Sequence, residues 1–399
     1  MEPSTSQLEA TTTARETPIP AFSLARQYES ISEEIHSAVD DVLRSQHFIG
    51  GPQLEQFETE AARFLRVSAV VGCASGTDAL WLALQAVGVG PGDTVLTTPF
   101  SFFASASSIV RCGATPKFAD IDPGTLNLSP AAAGVALKDA DSKVRAIMPV
   151  HLYGQCAEMS AFQQLGELSG ATVVEDAAQG FGAKWRGRMA GSIGNTAAFS
   201  FYPTKNLGAF GDGGCVATDD PAIADYLRKF RNHGSRQRYY HEEFGWNSRL
   251  DAVQAAILRV KLRHLDRWND QRRAIATRYS AAFEAAGLSK PGSVTPASSL
   301  PIAPLAIAPE GFHIFHQYVV RAHRRDELRG FLSAAGIGTE IYYPVPLHLQ
   351  EAFAYLGYKK GQFPEAERAS AEVLALPMFP ELREEEQERV VAKISEFYN

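Results

Sequence analysis

Short apolar segments with strand-like and helix-like spacing alternate along the first half of the chain. A β-branched segment at residues 68–73 (SAVVGC) precedes a helix-like segment at residues 78–88 (DALWLALQAVG). The same order recurs over residues 93–122 and again over residues 143–177. Strands that are joined through helices pair in parallel and are covered by helices on both faces. We therefore predict an α/β fold with a large, mostly parallel sheet.

The pattern changes near residue 265, where we place a domain boundary. A strand-like segment (IFHQYVVRA), a helical one (RDELRGFLSAAG), a second strand-like one (GTEIYYP) and two closing helices follow. This order predicts a large domain at residues 22–265 and a smaller C-terminal α+β domain at residues 266–399. Residues 1–21 are polar and rich in Thr and Ser, which predicts a disordered leader.

Composition and charge exclude several classes of function. The formal net charge of -7 provides no basic field for a nucleic acid. No apolar run approaches the roughly 18 residues that span a bilayer, and no secretory h-region is present. We therefore expect a cytoplasmic protein that binds neither nucleic acid nor membrane. The four cysteines form no CxxC pair, so we expect no metal site and no disulfide framework.

The segment GCASGTDAL has the form of an anion-binding turn between a strand and a helix. Ser75 is a plausible N-cap, and the free N–H groups of a helix N-terminus attract anions. Gly76 permits close approach of a phosphate, and the Thr77 hydroxyl adds a donor. An ordinary capped helix after a tight turn explains the same letters.

Asp176 in VVEDAAQ falls where a buried strand is expected to end. A charge in that position is costly without a partner, and a protonated pyridine nitrogen would be one such partner. Gln179 follows three residues later and could contact an oxygen on the same ring. A capped turn is the alternative interpretation.

Lys205 lies in a loop after the strand-like TAAFSFYP and is followed by glycines at positions 208, 211, 213 and 214. A lysine that forms an imine needs a free amine beside its cofactor, and desolvation promotes that state. The glycines leave room for a flat ring or a sugar. A solvated loop lysine is the alternative.

Phosphate turn, strand-end Asp and loop Lys, in this order, resemble the fold-type I pyridoxal-phosphate enzymes. Longer segments, namely DIDPGTLNL, PVHLYGQ, VVEDAAQGFGA, FSFYPTKNLGAFGDGG and GWNSRLDAVQAAIL, resemble the DegT/DnrJ/EryC1/StrS sugar aminotransferases. The likeness extends from about Phe22 to the C-terminus. It implies a fold-type I aminotransferase whose large domain binds pyridoxal 5'-phosphate.

The resemblance also implies cofactor contacts. Lys205 would carry the cofactor as an imine, and Asp176 would pair with its ring nitrogen. The ring oxygen, the ring face and the phosphate would then be contacted by Gln179, by Phe102, and by Gly76, Thr77 and Ser200.

Further residues match positions on the substrate side of such enzymes. Asn247 matches a residue that the neighbouring subunit supplies, which implies a homodimer with shared active sites. The candidate substrate contacts are Tyr153, Arg249, Tyr342, Tyr343 and His348. Packing aromatics and a surface histidine remain the alternative for the tyrosines and His348.

The implied reaction moves an amino group from glutamate to a nucleotide-linked keto sugar, with a dTDP-3-keto-6-deoxyhexose as first choice. A 4-keto hexose and a UDP-3-keto-hexuronic acid remain open. A sugar dehydratase that uses pyridoxamine phosphate would carry His in place of Lys205. A non-catalytic binding or regulatory protein would not need Lys205, Asp176, Gln179 and Asn247. An amino-acid enzyme of the same fold would need an arginine clamp, which the sequence does not locate.

Overall fold

The computed structural model describes residues 17–138 and 143–399. Within them, the α-helices are α1 (Ala25–Ser45), α2 (Pro52–Leu65), α3 (Gly76–Ala86), α4 (Ala104–Arg111), α5 (Pro130–Leu137), α6 (Met159–Ser169), α7 (Pro221–Phe230), α8 (Ala252–Leu262), α9 (Leu265–Ala285), α10 (Arg325–Ala334), α11 (Pro364–Glu372) and α12 (Glu384–Tyr398). The strands are β1 (Ala69–Cys73), β2 (Thr94–Thr97), β3 (Thr115–Phe118), β4 (Val144–Ile147), β5 (Thr172–Asp176), β6 (Lys184–Trp185), β7 (Arg188–Met189), β8 (Thr196–Ser200), β9 (Gly214–Thr218), β10 (Ile302–Pro304), β11 (Gly311–Phe312), β12 (Tyr318–Ala322) and β13 (Val373–Leu376).

Seven of these strands form the central sheet, in the order β1-β9-β8-β5-β4-β2-β3. Strands β8, β5, β4, β2 and β3 pair in parallel, whereas β9 is antiparallel to both of its neighbours. This topology confirms the predicted α/β fold with a mostly parallel sheet. The carboxyl ends of the parallel strands meet at one edge, where ligands of such sheets bind.

Helices cover both faces of the sheet because alternate residues of each strand point to opposite sides. On β1, Val71 packs with Leu80 of α3 and Leu227 of α7, on one face. Val70 packs with Phe57 of α2 and other apolar side chains on the other face. The strands are therefore buried on both faces, which explains their continuous apolar character.

A smaller antiparallel sheet, in the order β10-β12-β13, lies in the C-terminal part of the chain. Its core includes apolar side chains of α9, α10 and α12. Helix α9 contributes Trp268 to a cluster with α1, and contributes Ile275 and Tyr279 to the small-domain core. The boundary at residue 265 remains a prediction, and we propose that it falls within α9.

The leader predicted at residues 1–21 extends too far along the chain, because residues 17–21 are ordered. Residues 1–16 of that leader lie outside the described residues, but Ile19 is 1% exposed and packs in the small-domain core. Its N–H donates to the Gly336 carbonyl at 2.9 Å, and its own carbonyl accepts from Gly338 N–H at 2.8 Å. Residues 17–21 therefore pack against the small domain, because one apolar side chain and two backbone hydrogen bonds order them.

The strand predicted at residues 338–344 is also absent. The segment makes a single bridge, between Glu340 and Ala375, and Tyr343 then adopts a positive φ of 64°. The backbone of a residue other than glycine is strained at such a φ, so tertiary contacts must hold this turn.

No helix among the described residues is both long enough and apolar enough to cross a membrane.

Glu175, next to the end of β5, fixes the turn that follows β7. Its side chain is fully buried and accepts hydrogen bonds from His151 Nε2 and from the N–H groups of Gly191, Ile193 and Gly194, at 2.6–2.8 Å. Burial acts to raise the pKa of Glu175, but these donors outweigh it and hold the pKa below its usual value.

Glu175→Gln should lower the free energy of unfolding by about 3 kcal/mol, because an amide NH₂ would face buried N–H donors. Urea denaturation measures this difference, with Glu167→Gln on the exposed side of α6 as control. The lowered pKa means that Glu175 stabilises the fold above the ordinary carboxyl pKa. The difference between Glu175→Gln and the unaltered protein should therefore shrink below about pH 4. A difference equal to that of the control would contradict this role.

Candidate active site

A cavity of about 510 Å³ opens at the edge of the sheet where the parallel strands end. Its wall combines the turn before α3, the start of α4, the ends of β5 and β8, and loops of the C-terminal part. The residues that line it include Gly76, Thr77, Ser101, Phe102, Ser105, Asp176, Gln179, Ser200, Lys205, His316, Gln317, Tyr342 and Tyr343.

The turn before α3 is shaped for a group that needs close approach. Ser75 caps the helix, its Oγ accepting from Asp78 N–H at 3.1 Å. A Cβ on Gly76 would lie 2.5 Å from the Cβ of Ser200, so only glycine fits there. Gly76, Thr77 and Ser200, which come from distant parts of the sequence, thus meet at the N-terminus of α3. Their free N–H and hydroxyl groups suit a phosphate.

Asp176 ends β5 and is 3% exposed. Its Oδ2 accepts from Ser105 Oγ at 2.6 Å, and its Oδ1 accepts from Ala178 N–H at 3.2 Å. Burial raises the pKa of Asp176, while these two donors and the positive charge of Lys205 oppose that rise. The carboxylate is therefore placed to gain from any further positive partner in the cavity.

Lys205 lies in a tight turn directly after β8, where its N–H donates to the Tyr202 carbonyl at 2.8 Å. Gly208 allows this turn, because a Cβ at that position would lie 2.3 Å from the Pro203 carbonyl oxygen. Burial lowers the pKa of Lys205 to about 8, although the charge of Asp176 acts in the opposite direction. A substantial share of this amine is therefore neutral and nucleophilic near physiological pH.

Gln179 links the sheet to the C-terminal part of the cavity wall. Its Oε1 accepts from Tyr153 N–H at 2.6 Å, and its Nε2 donates to the Tyr343 hydroxyl at 2.7 Å. The second hydrogen on Nε2 remains for a ligand.

Four of the expected site residues do not line this cavity. Tyr153 is 1% exposed and stacks on Tyr343, with ring centroids 6.2 Å apart. His348 is 2% exposed and its Nε2 lies 3.0 Å from Glu367 Oε1, so it is a buried packing residue rather than a surface histidine or a cavity residue. Arg249 donates to Asn232 Oδ1 at 2.9 Å. Asn247 is exposed and does not line the cavity of its own chain.

Several residues that line the cavity are not among those predicted from the sequence. Ser101 lies before α4 and Ser105 lies in its first turn, so no regular helical spacing predicts that both line the cavity. His316 and Gln317 precede β12, and His316 Nδ1 lies 3.1 Å from Asn206 Oδ1. Burial, together with the charges of Lys205 and Arg272, holds the pKa of His316 well below its usual value. No sequence signal distinguishes these two from other pre-strand residues.

Among the residues that the structure describes, no group of three or more His, Cys, Asp or Glu side chains could hold a metal ion. The cavity wall provides an amine, carboxylates, an imidazole, hydroxyls and amides.

Comparisons with known proteins find relatives that cover nearly the whole chain. The pattern of the DegT/DnrJ/EryC1/StrS aminotransferase family matches residues 29–395. The chain is 50% identical over 380 residues to the pleiotropic regulatory protein of Geobacillus stearothermophilus, covering 95% of this chain and 98% of that protein. It is 43% identical over 383 residues to the dTDP-3-amino-3,4,6-trideoxy-alpha-D-glucose transaminase of Streptomyces venezuelae, covering 96% and 97%.

A solved structure agrees in fold as well as in sequence. DesV of S. venezuelae, in complex with a ketimine intermediate, superimposes with a TM-score of 0.90 at 42% identity, covering 96% of this chain and 99% of that one. These matches confirm the predicted aminotransferase fold. The chain therefore belongs to the DegT/DnrJ/EryC1/StrS aminotransferase family.

Proposed function

We propose that this protein transfers an amino group from glutamate to a nucleotide-linked keto sugar, with pyridoxal 5'-phosphate as its cofactor. The observation that carries the proposal is the convergence of three features on one cavity. These are the amine of Lys205 with its lowered pKa, the buried carboxylate of Asp176, and the anion-binding turn at Gly76.

The cavity fits this cofactor in the roles that the resemblance implies. Gly76, Thr77 and Ser200 would hold the phosphate, in the close approach that a Cβ would block. Asp176 would hold the ring nitrogen and Gln179 the ring oxygen. Phe102, which is 60% exposed on the cavity wall, would cover the face of the ring. When bound, pyridoxal phosphate provides an aldehyde that takes up amines and a ring that stabilises negative charge at the adjacent carbon.

The side chains of the cavity then divide the acid-base work. Lys205 would hold the cofactor covalently, and its amine, once released, would accept a proton from the α-carbon of the amino donor. Its pKa of about 8 lets it both accept and return that proton near neutral pH. Asp176 would keep the ring nitrogen protonated, because opposite charges stabilise each other in a shielded cavity. The same residues act in the reverse direction on the keto sugar.

The substrate side of the cavity is rich in neutral hydrogen-bonding groups. Gln317, Tyr342 and Tyr343 line it, and no arginine does so among the described residues. Hydroxyls and amides suit the hydroxyl groups of a sugar acceptor. The transaminase of S. venezuelae named above acts on a dTDP-linked sugar, which favours a dTDP-3-keto-6-deoxyhexose for this chain. Tyr153 and His348 do not line the cavity, so we do not propose them as substrate contacts.

A homodimer with shared active sites is part of the proposal. The segment before Asn247 exposes Tyr239, Phe244 and Trp246, with Phe244 99% exposed. Exposed aromatic clusters of this kind are typical of protein interfaces. A second copy that covers this segment would bring its own Asn247, with Arg249 nearby, towards the cavity.

Two alternatives carry less support. A dehydratase would need His where this chain has Lys205. The relative named as a pleiotropic regulatory protein leaves a regulatory role as the second candidate. The intact set of Lys205, Asp176 and Gln179 around one cavity favours catalysis, since binding alone requires no amine with a lowered pKa.

Borohydride reduction of the protein with pyridoxal phosphate should attach the cofactor to Lys205, as read by peptide mass mapping. Lys261 is the sharpest control, since burial also lowers its pKa to about 8 while its Nζ donates to the Gly208 carbonyl at 2.6 Å. Lys205→Ala should take no label and should lose at least about a thousandfold in transamination rate. A label on Lys261 would overturn the assignment.

The rate at which pyridoxal phosphate attaches to the cofactor-free protein should rise about tenfold per unit from pH 6 to 8 and then level off. Only the neutral amine adds to an aldehyde, and the pKa of Lys205 is about 8. Stopped-flow absorbance measures this rate. Nα-acetyl-lysine provides the reference, since its rate should continue to rise to about pH 10. Parallel curves for the protein and the free amine would show that the cavity does not tune Lys205.

The substrate is tested with a panel of nucleotide keto sugars and glutamate, read by product mass and NMR. The 3-keto-6-deoxyhexose linked to dTDP should be aminated fastest, ahead of a 4-keto hexose and of a UDP-linked 3-keto-hexuronic acid. Turnover of a 2-oxo acid in place of every sugar would instead favour an amino-acid enzyme.

A further inference from the structure

Two serine hydroxyls form a hydrogen-bonded chain that ends on Asp176. Ser105 Oγ donates to Asp176 Oδ2 at 2.6 Å, and Ser101 Oγ lies 2.8 Å from Ser105 Oγ. All three side chains are buried, at 4% exposure for Ser101, 1% for Ser105 and 3% for Asp176. A serine has one hydroxyl hydrogen, and that of Ser105 is used on Asp176. The hydrogen between the two serines therefore belongs to Ser101, so both hydroxyls point towards the carboxylate.

This chain gives Asp176 a fixed orientation. Ser105 holds Oδ2, and the N–H of Ala178 holds Oδ1 at 3.2 Å. Each oxygen keeps a free lone pair for a group in the cavity. Among the influences that oppose the rise in the pKa of Asp176 through burial, the hydrogen bond from Ser105 is the largest.

We propose that Ser105, oriented by Ser101, is a positioning residue that keeps Asp176 ionised and directed at the ring nitrogen of the bound cofactor. This inference rests on the proposed function, since it requires that a pyridine nitrogen occupy the cavity. A hydroxyl that accepts a hydrogen bond becomes a stronger donor, so loss of Ser101 acts in the same direction as loss of Ser105 but less strongly.

The other charged and titratable groups around Asp176 stay in place when these serines are changed. Lys205 approaches from the loop after β8, and His151 follows β4 with its Nε2 bonded to Glu175 Oε2 at 2.8 Å. Tyr343 approaches from the C-terminal part, with its hydroxyl bonded to Gln179. A shift in the behaviour of Asp176 in a serine variant thus reports the lost hydroxyl.

The test compares the binding of pyridoxamine phosphate with that of its 1-deaza analogue, in which carbon replaces the ring nitrogen. Ser105→Ala should weaken the first about tenfold, the size that one hydrogen bond to a charged group implies, and leave the second unchanged. Binding of pyridoxamine phosphate is lost as the pH falls, and in Ser105→Ala this loss should begin at a higher pH, because Asp176 then protonates more readily. Ser101→Ala should show a smaller change, and Ser105→Thr should restore binding.

Ser108→Ala is the matched control. Ser108 is a fully buried serine on the same helix, and its hydroxyl donates to the backbone carbonyl of Ser105 at 3.4 Å rather than to Asp176. Equal affinities in Ser105→Ala and Ser108→Ala would overturn the inference, and so would equal weakening of both probes in Ser105→Ala. Failure of the proposed function would look different, since the unaltered protein would then bind neither probe.

Discussion

The candidate site depends on one buried carboxylate. Asp176 lies at the end of a strand in the middle of the sheet and is almost fully shielded from water. A charge there is costly, and it is stabilised by Ser105, by the N–H of Ala178 and by the amine of Lys205. Burial also lowers the pKa of Lys205, so the same shielding from water shifts the pKa values of both Asp176 and Lys205.

The parallel sheet is what brings these groups together. Strands β5 and β8 are neighbours, with Asp176 paired to Ala198, so Ser200 and the loop of Lys205 follow within a few residues of the acid. Strand β1 lies on the far side of β9, and its end delivers Gly76 against Ser200. Positions far apart in the sequence therefore meet at one edge, as the strand topology requires.

The sequence predicts the sheet and several of the residues that line the cavity, because strand ends and glycine turns carry local signals. It does not predict contacts that depend on distant segments. The order at Ile19 needs residues 336–338, and the strained turn at Tyr343 needs Gln179. His348 contacts Glu367, and no local pattern predicts this contact. Nothing in the sequence around Ser101 and Ser105 indicates that their hydroxyls interact with each other and with Asp176. The place of Asn247 in a second subunit stays a prediction.

A crystal structure of the protein with pyridoxal phosphate tests the central claim most directly. We expect continuous electron density from Lys205 Nζ to the cofactor, with the phosphate at the N-terminus of α3 and the ring nitrogen within hydrogen-bond distance of Asp176. Density on another lysine, or a phosphate bound away from Gly76 and Ser200, would contradict it.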